Sequence, residues 1–151
     1  MILDSGTRRE FDTGAVRDIQ EGKGRCDLLP LWVVGSIYKK DFEPAHLAAF
    51  QADHNSSHLY NALRCFAVTA FGGMETMMLE LSIHFEEGAK KYGENNWQKG
   101  LPVDCYLDSA MRHWLKWRRG DTDERHDRAF AWNLVCCIWE LDFHNYEEET
   151  T

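Results

Sequence analysis

From Phe42 onward, apolar residues return every three or four positions, and glycines punctuate the pattern. That 3.6-residue period predicts helices near 43–52, 56–71, 74–92, 103–119 and 123–143. Pro44 stands near the start of the first, where its fixed φ and missing N–H are tolerated. In Asn55-Ser56-Ser57 a serine is placed to cap the second helix, which Gly72-Gly73 ends. Gly93 and Gly120 close the third and fourth. Along the third, Met78, Leu81, Phe85, Ala89 and Tyr92 form the expected core stripe, with Glu80, His84, Glu87 and Lys91 on a polar stripe. In the fourth, Leu107, Ala110, Met111 and Trp114 make the apolar stripe, and Asp108 stands four residues before Arg112. The fifth opens with Asp121, Asp123, Glu124 and Asp127, so that Glu124-x-x-Asp127 is expected to place two carboxylates on one face. Asn133, inside an otherwise apolar stretch, needs hydrogen-bond partners.

Outside the first forty residues no strand of useful length alternates, and no internal repeat is visible. Residues 1–30 read as an irregular arm, 31–41 as a short apolar patch and turn, and Glu147-Glu148-Glu149 as an acidic tail that frays. The expectation is all-α: a helical bundle with an irregular N-terminal arm, in a single domain spanning 1–151.

Composition narrows the chemistry. The formal net charge of −8 argues against nucleic acid or an anionic membrane surface as partner. No apolar run approaches the roughly 18 residues of a membrane span. No basic-then-apolar leader opens the chain, so a cytoplasmic protein is expected. Cys26, Cys65, Cys105, Cys136 and Cys137 sit at no zinc-like spacing and read as buried thiols in a reducing compartment. Against the acidic background, Arg17, Lys23 and Arg25 gather in a glycine-rich stretch suited to contacting phosphates. Carboxylates on two helices plus separate cations suit Mg²⁺-dependent phosphate chemistry.

Three blocks then fall in one order. The first is Thr13-Gly14-Ala15-x-Arg17-Asp18 with Gly22-Lys23-Gly24-Arg25-x-Asp27-Leu28-Leu29-Pro30. The second is Glu87-Gly88-Ala89-Lys90-Lys91-Tyr92-Gly93-x-x-Asn96-Trp97-x-x-Gly100. The third is Tyr106-Leu107-Asp108-Ser109-Ala110-x-Arg112-His113, continuing through Gly120, Asp123-Glu124-x-His126 and Ala131-Trp132-Asn133. Together they resemble phage-type dATP/dGTP diphosphohydrolase domains, which are similar to the all-α MazG-like pyrophosphatases. The resemblance implies a MazG-like bundle that hydrolyses a purine deoxynucleoside triphosphate to monophosphate and pyrophosphate. It implies Mg²⁺ or Mn²⁺ as cofactor and a role in the host's nucleotide pool during phage infection.

MazG-like enzymes hold metal through a Glu-x-x-Glu pair and a later Glu-x-x-Asp pair. Glu124-x-x-Asp127 matches the second, whereas His84 stands three residues before Glu87 and Ile83 three after Glu80. The expected metal ligands are Glu87, Asp108, Glu124 and Asp127, with Glu87, Glu124 and Asp127 catalytic. Phosphate contacts are expected from Arg17, Lys23, Arg25, Lys91, Arg112 and His113, and base contacts from Asn96, Trp97 and Asn133. Residues 36–75 match none of the blocks and read as a possible insertion. Six tryptophans and thirteen other aromatics predict a homo-oligomer, dimer or tetramer. Two alternatives stay open: an HD-type nucleotide phosphohydrolase built on His126-Asp127, with His84 or His113 upstream and Asp142 downstream, and a non-catalytic acidic phage accessory protein.

Overall fold

The structure is a computed structural model describing residues 4–20, 22–30, 42–94 and 96–144. The expected patch at 31–41 and the acidic tail at Glu147–Glu149 lie outside the described residues. Among the described residues, five α-helices follow the predicted order: α1 (Phe42–Asp53), α2 (Ser57–Phe71), α3 (Met74–Tyr92), α4 (Val103–Arg119) and α5 (His126–Asp142). The fold is all-α, and among the described residues no helix is long and apolar enough to cross a membrane.

Local chemistry sets the helix ends. Gly120 takes φ 89°, its N–H reaching the Lys116 and Trp117 carbonyls, while the Asp121 N–H also returns to Lys116. That left-handed turn satisfies the last orphan carbonyls of α4 and suits a residue without Cβ. At the start of α2 the expectation needs correcting. Ser56 makes no capping hydrogen bond, and the Asn55 carboxamide oxygen accepts the Ser57 N–H instead. The start of α5 is also corrected, from 123 to His126. Asp121 is held by Arg119 and Asp123 by His126, so both acids are engaged in the turn before the helix. Glu124 therefore precedes the helix that carries Asp127, and the expected one-face helical carboxylate pair does not form.

The core face of α3 differs by one position from the expected stripe. Met77, Leu81 and His84 are buried, whereas Met78 is 48% exposed. Apolar residues at 74, 77, 78, 79, 81, 83 and 85 nearly encircle this helix, so periodicity alone does not select the face that packs.

One cluster of buried side chains joins all five helices. Phe66 of α2 lies at its centre, its ring 4.4 Å from Phe130 of α5 and 4.9 Å from Trp117 of α4. Leu47 and Phe50 of α1 and Leu59 and Phe66 of α2 are fully buried in that cluster. The described part of the segment read as a possible insertion is thus integral to the core. Each such side chain stabilises the fold by roughly 1.5–3 kcal/mol.

The expected irregular arm is instead folded and docked. Strands β1 (Arg8–Glu10) and β2 (Val16–Asp18) form an antiparallel hairpin with Arg9 opposite Arg17. Asn96 accepts the Val16 N–H and donates to the Val16 carbonyl, both at 3.0 Å, and the Thr13 hydroxyl donates to the Gly100 carbonyl. Gly100 itself takes φ 90°, and a Cβ there would meet the Glu140 carboxylate at 2.8 Å. Further on, a 3-10 turn at Cys26–Leu28 is tied to α4 by the Cys26 N–H, which donates to Asp108. Gln51 of α1 donates to the Asp27 and Leu29 carbonyls from the other side.

Candidate active site

Docking the hairpin over α3, α4 and α5 encloses a pocket of about 490 Å³. Its wall combines rings (Phe85, Tyr92, Trp97, Tyr106, Trp132) with cations (Arg9, Arg17, Lys23, Lys91, Arg112, Lys116). His84, His113 and Glu124 line it as well.

Arg17 is the most committed of these cations. Its guanidinium donates to the Ser109 hydroxyl at 2.8 Å and to the Asn133 carboxamide oxygen at 2.7 Å. Its Cζ stands 5.5 Å from the Tyr106 ring centre and 5.6 Å from that of Trp132. These partners are all neutral, and burial pulls the Arg17 pKa downward. A buried guanidinium among neutral partners is costly and gains much from an incoming anion. This finds the partner that Asn133 requires, since its Nδ2 donates to the Ala129 carbonyl.

Of the other expected phosphate contacts, Lys23, Lys91, Arg112 and His113 line the pocket, and Arg25 does not. Arg25 is bidentate to Asp27 across two residues. Arg112 pairs with Asp108 at 3.0 Å while donating to the Gly24 carbonyl at 2.7 Å, so the arm and α4 share it. Lys23 pairs with Asp18 at 3.0 Å.

Among the described residues, the four expected metal ligands form no group of converging donors. Asp108 is 2% exposed and is occupied by Arg112 and the Cys26 N–H. Asp127 receives the Arg125 guanidinium and the Arg128 N–H, which together outweigh burial and lower its pKa. Glu87 lies 4.0 Å from Arg128, whose guanidinium is paired chiefly with Glu80. Arginine thus pairs with three of the four carboxylates, of which Asp108 is buried and Glu87 and Asp127 are half-buried.

Glu124 takes part in a different group. His113 Nδ1 lies 2.9 Å from His126 Nδ1 and 3.7 Å from Glu124 Oε1. Among the described residues, His113, Glu124 and His126 place their donor atoms within 4.8 Å of one another, as do Asp121, Asp123 and His126. Burial, and then the His126 neighbour, push the His113 pKa well below its usual value, leaving a neutral imidazole. Burial likewise lowers His84 to about 4, with Glu87 opposing. Of the His126-Asp127 doublet, His126 belongs to this group, while Asp127 belongs to the arginine pairing. Asp142 accepts the Ser56 and Tyr60 hydroxyls instead.

Of the expected base readers, Trp97 lines the pocket edge-on to Phe85 and Trp139. Asn96 and Asn133 line it too, but their carboxamides are engaged by Val16, Arg17 and Ala129. Sequence reasoning missed Tyr106, Ser109, Lys116 and Trp132 as site residues and gave His84 only an alternative role. The i, i+4, i+7 spacing of Met77, Leu81 and His84 is the signal that places His84 on the inner face.

No curated protein and no solved structure matches the chain. The sequence model described as dATP/dGTP diphosphohydrolase, N-terminal, matches residues 62–150, from within α2 to beyond α5. That span includes the ring wall, Arg112, His113 and Glu124, while the hairpin carrying Arg17 precedes it. With most of its length matched, the chain belongs to the dATP/dGTP diphosphohydrolase N-terminal family.

Proposed function

We propose that the protein hydrolyses purine deoxynucleoside triphosphates to the monophosphate and pyrophosphate with a divalent cation, acting on the host's cytoplasmic nucleotide pool during phage infection. The observation that carries this reading is one pocket lined by both aromatic rings and six cations, Arg9 among them, the two surfaces that a base and a triphosphate require. Arg17, Lys23, Lys91, Arg112 and Lys116 hold the phosphates and neutralise charge as the leaving pyrophosphate forms.

His113, Glu124 and His126 offer two imidazoles and one carboxylate within reach of one another. That set suits Mn²⁺ better than Mg²⁺, which prefers oxygen ligands throughout. When bound, such an ion activates water and offsets negative charge on the phosphates. In this reading Glu124, which lines the pocket, takes a proton from the attacking water. Glu87 and Asp127, paired with Arg128 and Arg125, stand outside this donor set.

The reading includes self-association. Met74, Met78, Leu79 and Ile83 are exposed along α3, with Leu79 at 71%. An apolar surface of that kind suits contact with a second copy.

The decisive experiment incubates the purified chain with each deoxynucleoside triphosphate plus Mn²⁺, Mg²⁺ or chelator, and identifies the products. Pyrophosphate release from dATP and dGTP, lost with chelator and reduced roughly 100-fold or more in Glu124→Gln, is expected. Release of triphosphate or inorganic phosphate would favour HD-type hydrolysis. Absence of turnover under every condition would favour the non-catalytic reading.

A further inference from the structure

Four residues that line the pocket carry a buried side-chain atom with no hydrogen-bond partner among the described residues: Nε of Arg9, Nδ1 of His84, Oη of Tyr106 and Nε1 of Trp132. Buried polar atoms are almost always paired, so such atoms gathered in one cavity point to a ligand that pairs them. Three of them, His84, Tyr106 and Trp132, are linked by contacts. The His84 and Trp132 ring centres are 5.5 Å apart, and Arg17 faces both Tyr106 and Trp132. Phe85 links this group to Trp97, with ring centres 6.0 Å from Trp132 and 5.4 Å from Trp97. The carboxamides of Asn96 and Asn133, by contrast, already have partners on both their oxygen and their nitrogen.

We infer that Trp132 Nε1–H, Tyr106 Oη–H and His84 Nδ1 recognise the purine base of the nucleotide, in place of Asn96 and Asn133. This inference rests on the nucleotide reading above and specifies which groups choose the base. The indole N–H only donates, and it matches a ring-nitrogen acceptor of the kind every purine presents. The Tyr106 hydroxyl both donates and accepts. A neutral His84 whose Nδ1 has no protein partner takes either tautomer, donating to a 6-oxo group or accepting from a 6-amino group. One cavity thereby accommodates both guanine and adenine, while a pyrimidine lacks the second ring that these donors address. The surrounding rings supply stacking area that does not depend on the base's substituents.

Tyr106→Phe and Trp132→Phe test the assignment, each compared with the parent for kcat/KM on dGTP, dATP and dCTP, inhibition by inorganic tripolyphosphate, and thermal midpoint. Loss of one buried hydrogen bond to the base should lower the purine kcat/KM roughly 5- to 30-fold and shrink the purine-to-pyrimidine ratio accordingly. Tripolyphosphate inhibition should stay within about twofold, because both variants keep a ring beside Arg17 and remove none of the cations. Tyr106→Phe should melt no lower than the parent, since the hydroxyl it removes has no protein partner. An unchanged purine-to-pyrimidine ratio in both variants, with turnover retained, overturns the assignment and leaves the nucleotide reading standing. A lowered midpoint in Tyr106→Phe also overturns it, by showing that the hydroxyl is a structural partner. A parent that neither hydrolyses nucleotides nor responds to tripolyphosphate overturns both readings together.

Discussion

Asn96→Ala removes the two hydrogen bonds that hold the Val16 peptide, one to its N–H and one to its carbonyl, each 3.0 Å long. A hydrogen bond of this kind contributes about 0.5–1.5 kcal/mol net, so the pair is worth about 1–3 kcal/mol. Val16 stands in the chain between Ala15, which is 1% exposed in the core, and Arg17 in the pocket. The loss therefore acts first on the docking of β2. At about 2 kcal/mol, the Val16 amide should exchange with solvent roughly 30-fold faster than in the parent. If the hairpin unfolds together with the bundle, the midpoint should fall by roughly 4–8 °C. Asn96→Asp keeps an acceptor for the Val16 N–H and loses the donor to its carbonyl, so it should fall between parent and alanine variant. Hydrogen exchange resolved at Val16, read alongside kcat/KM, is the assay. An exchange rate raised less than about threefold in Asn96→Ala would refute the clamp. A changed preference among bases without any change at Val16 would make Asn96 a base reader after all.

Acid should weaken the fold through His84. Its pKa is about 4 when folded, because of burial, against about 6.5 when unfolded. The unfolded chain takes up the proton first, so stability present above pH 6.5 is lost as the pH falls toward 4, by up to about 3 kcal/mol. His113 is lowered by burial as well and slopes the same way. Urea unfolding at pH 7, 5.5 and 4.5 should show a smaller loss in His84→Phe than in the parent, and equal losses would refute the argument. For self-association, sedimentation velocity at micromolar concentration should show a dimer or tetramer that Leu79→Glu dissociates, and a monomeric parent would refute it.

The extents of α3 and α4 are legible in the sequence because their causes are local. Apolar residues three or four apart and a glycine at each C-terminus act within a single turn, so Met74–Tyr92 and Val103–Arg119 match their predicted spans. The cations Arg17, Lys23 and Arg25 are visible in the same way, as an unusual cluster in an acidic chain. What each charged group meets is not local. Arg17 finds Ser109 and Asn133 at separations of 92 and 116 residues, and both partners are neutral. Arg25 finds a carboxylate two residues away and stays outside the pocket. Glu87, Asp108 and Asp127 have the composition of a metal site, yet packing gives them arginine partners, while Glu124 faces two histidines. His84 turns inward because the Met77–Leu81 face of α3, and not the Met78 face, docks onto the bundle. Periodicity and capping depend on neighbours in sequence, and they determined the helices. Burial and pairing depend on neighbours in space, and only the tertiary structure decided which side chains became the site.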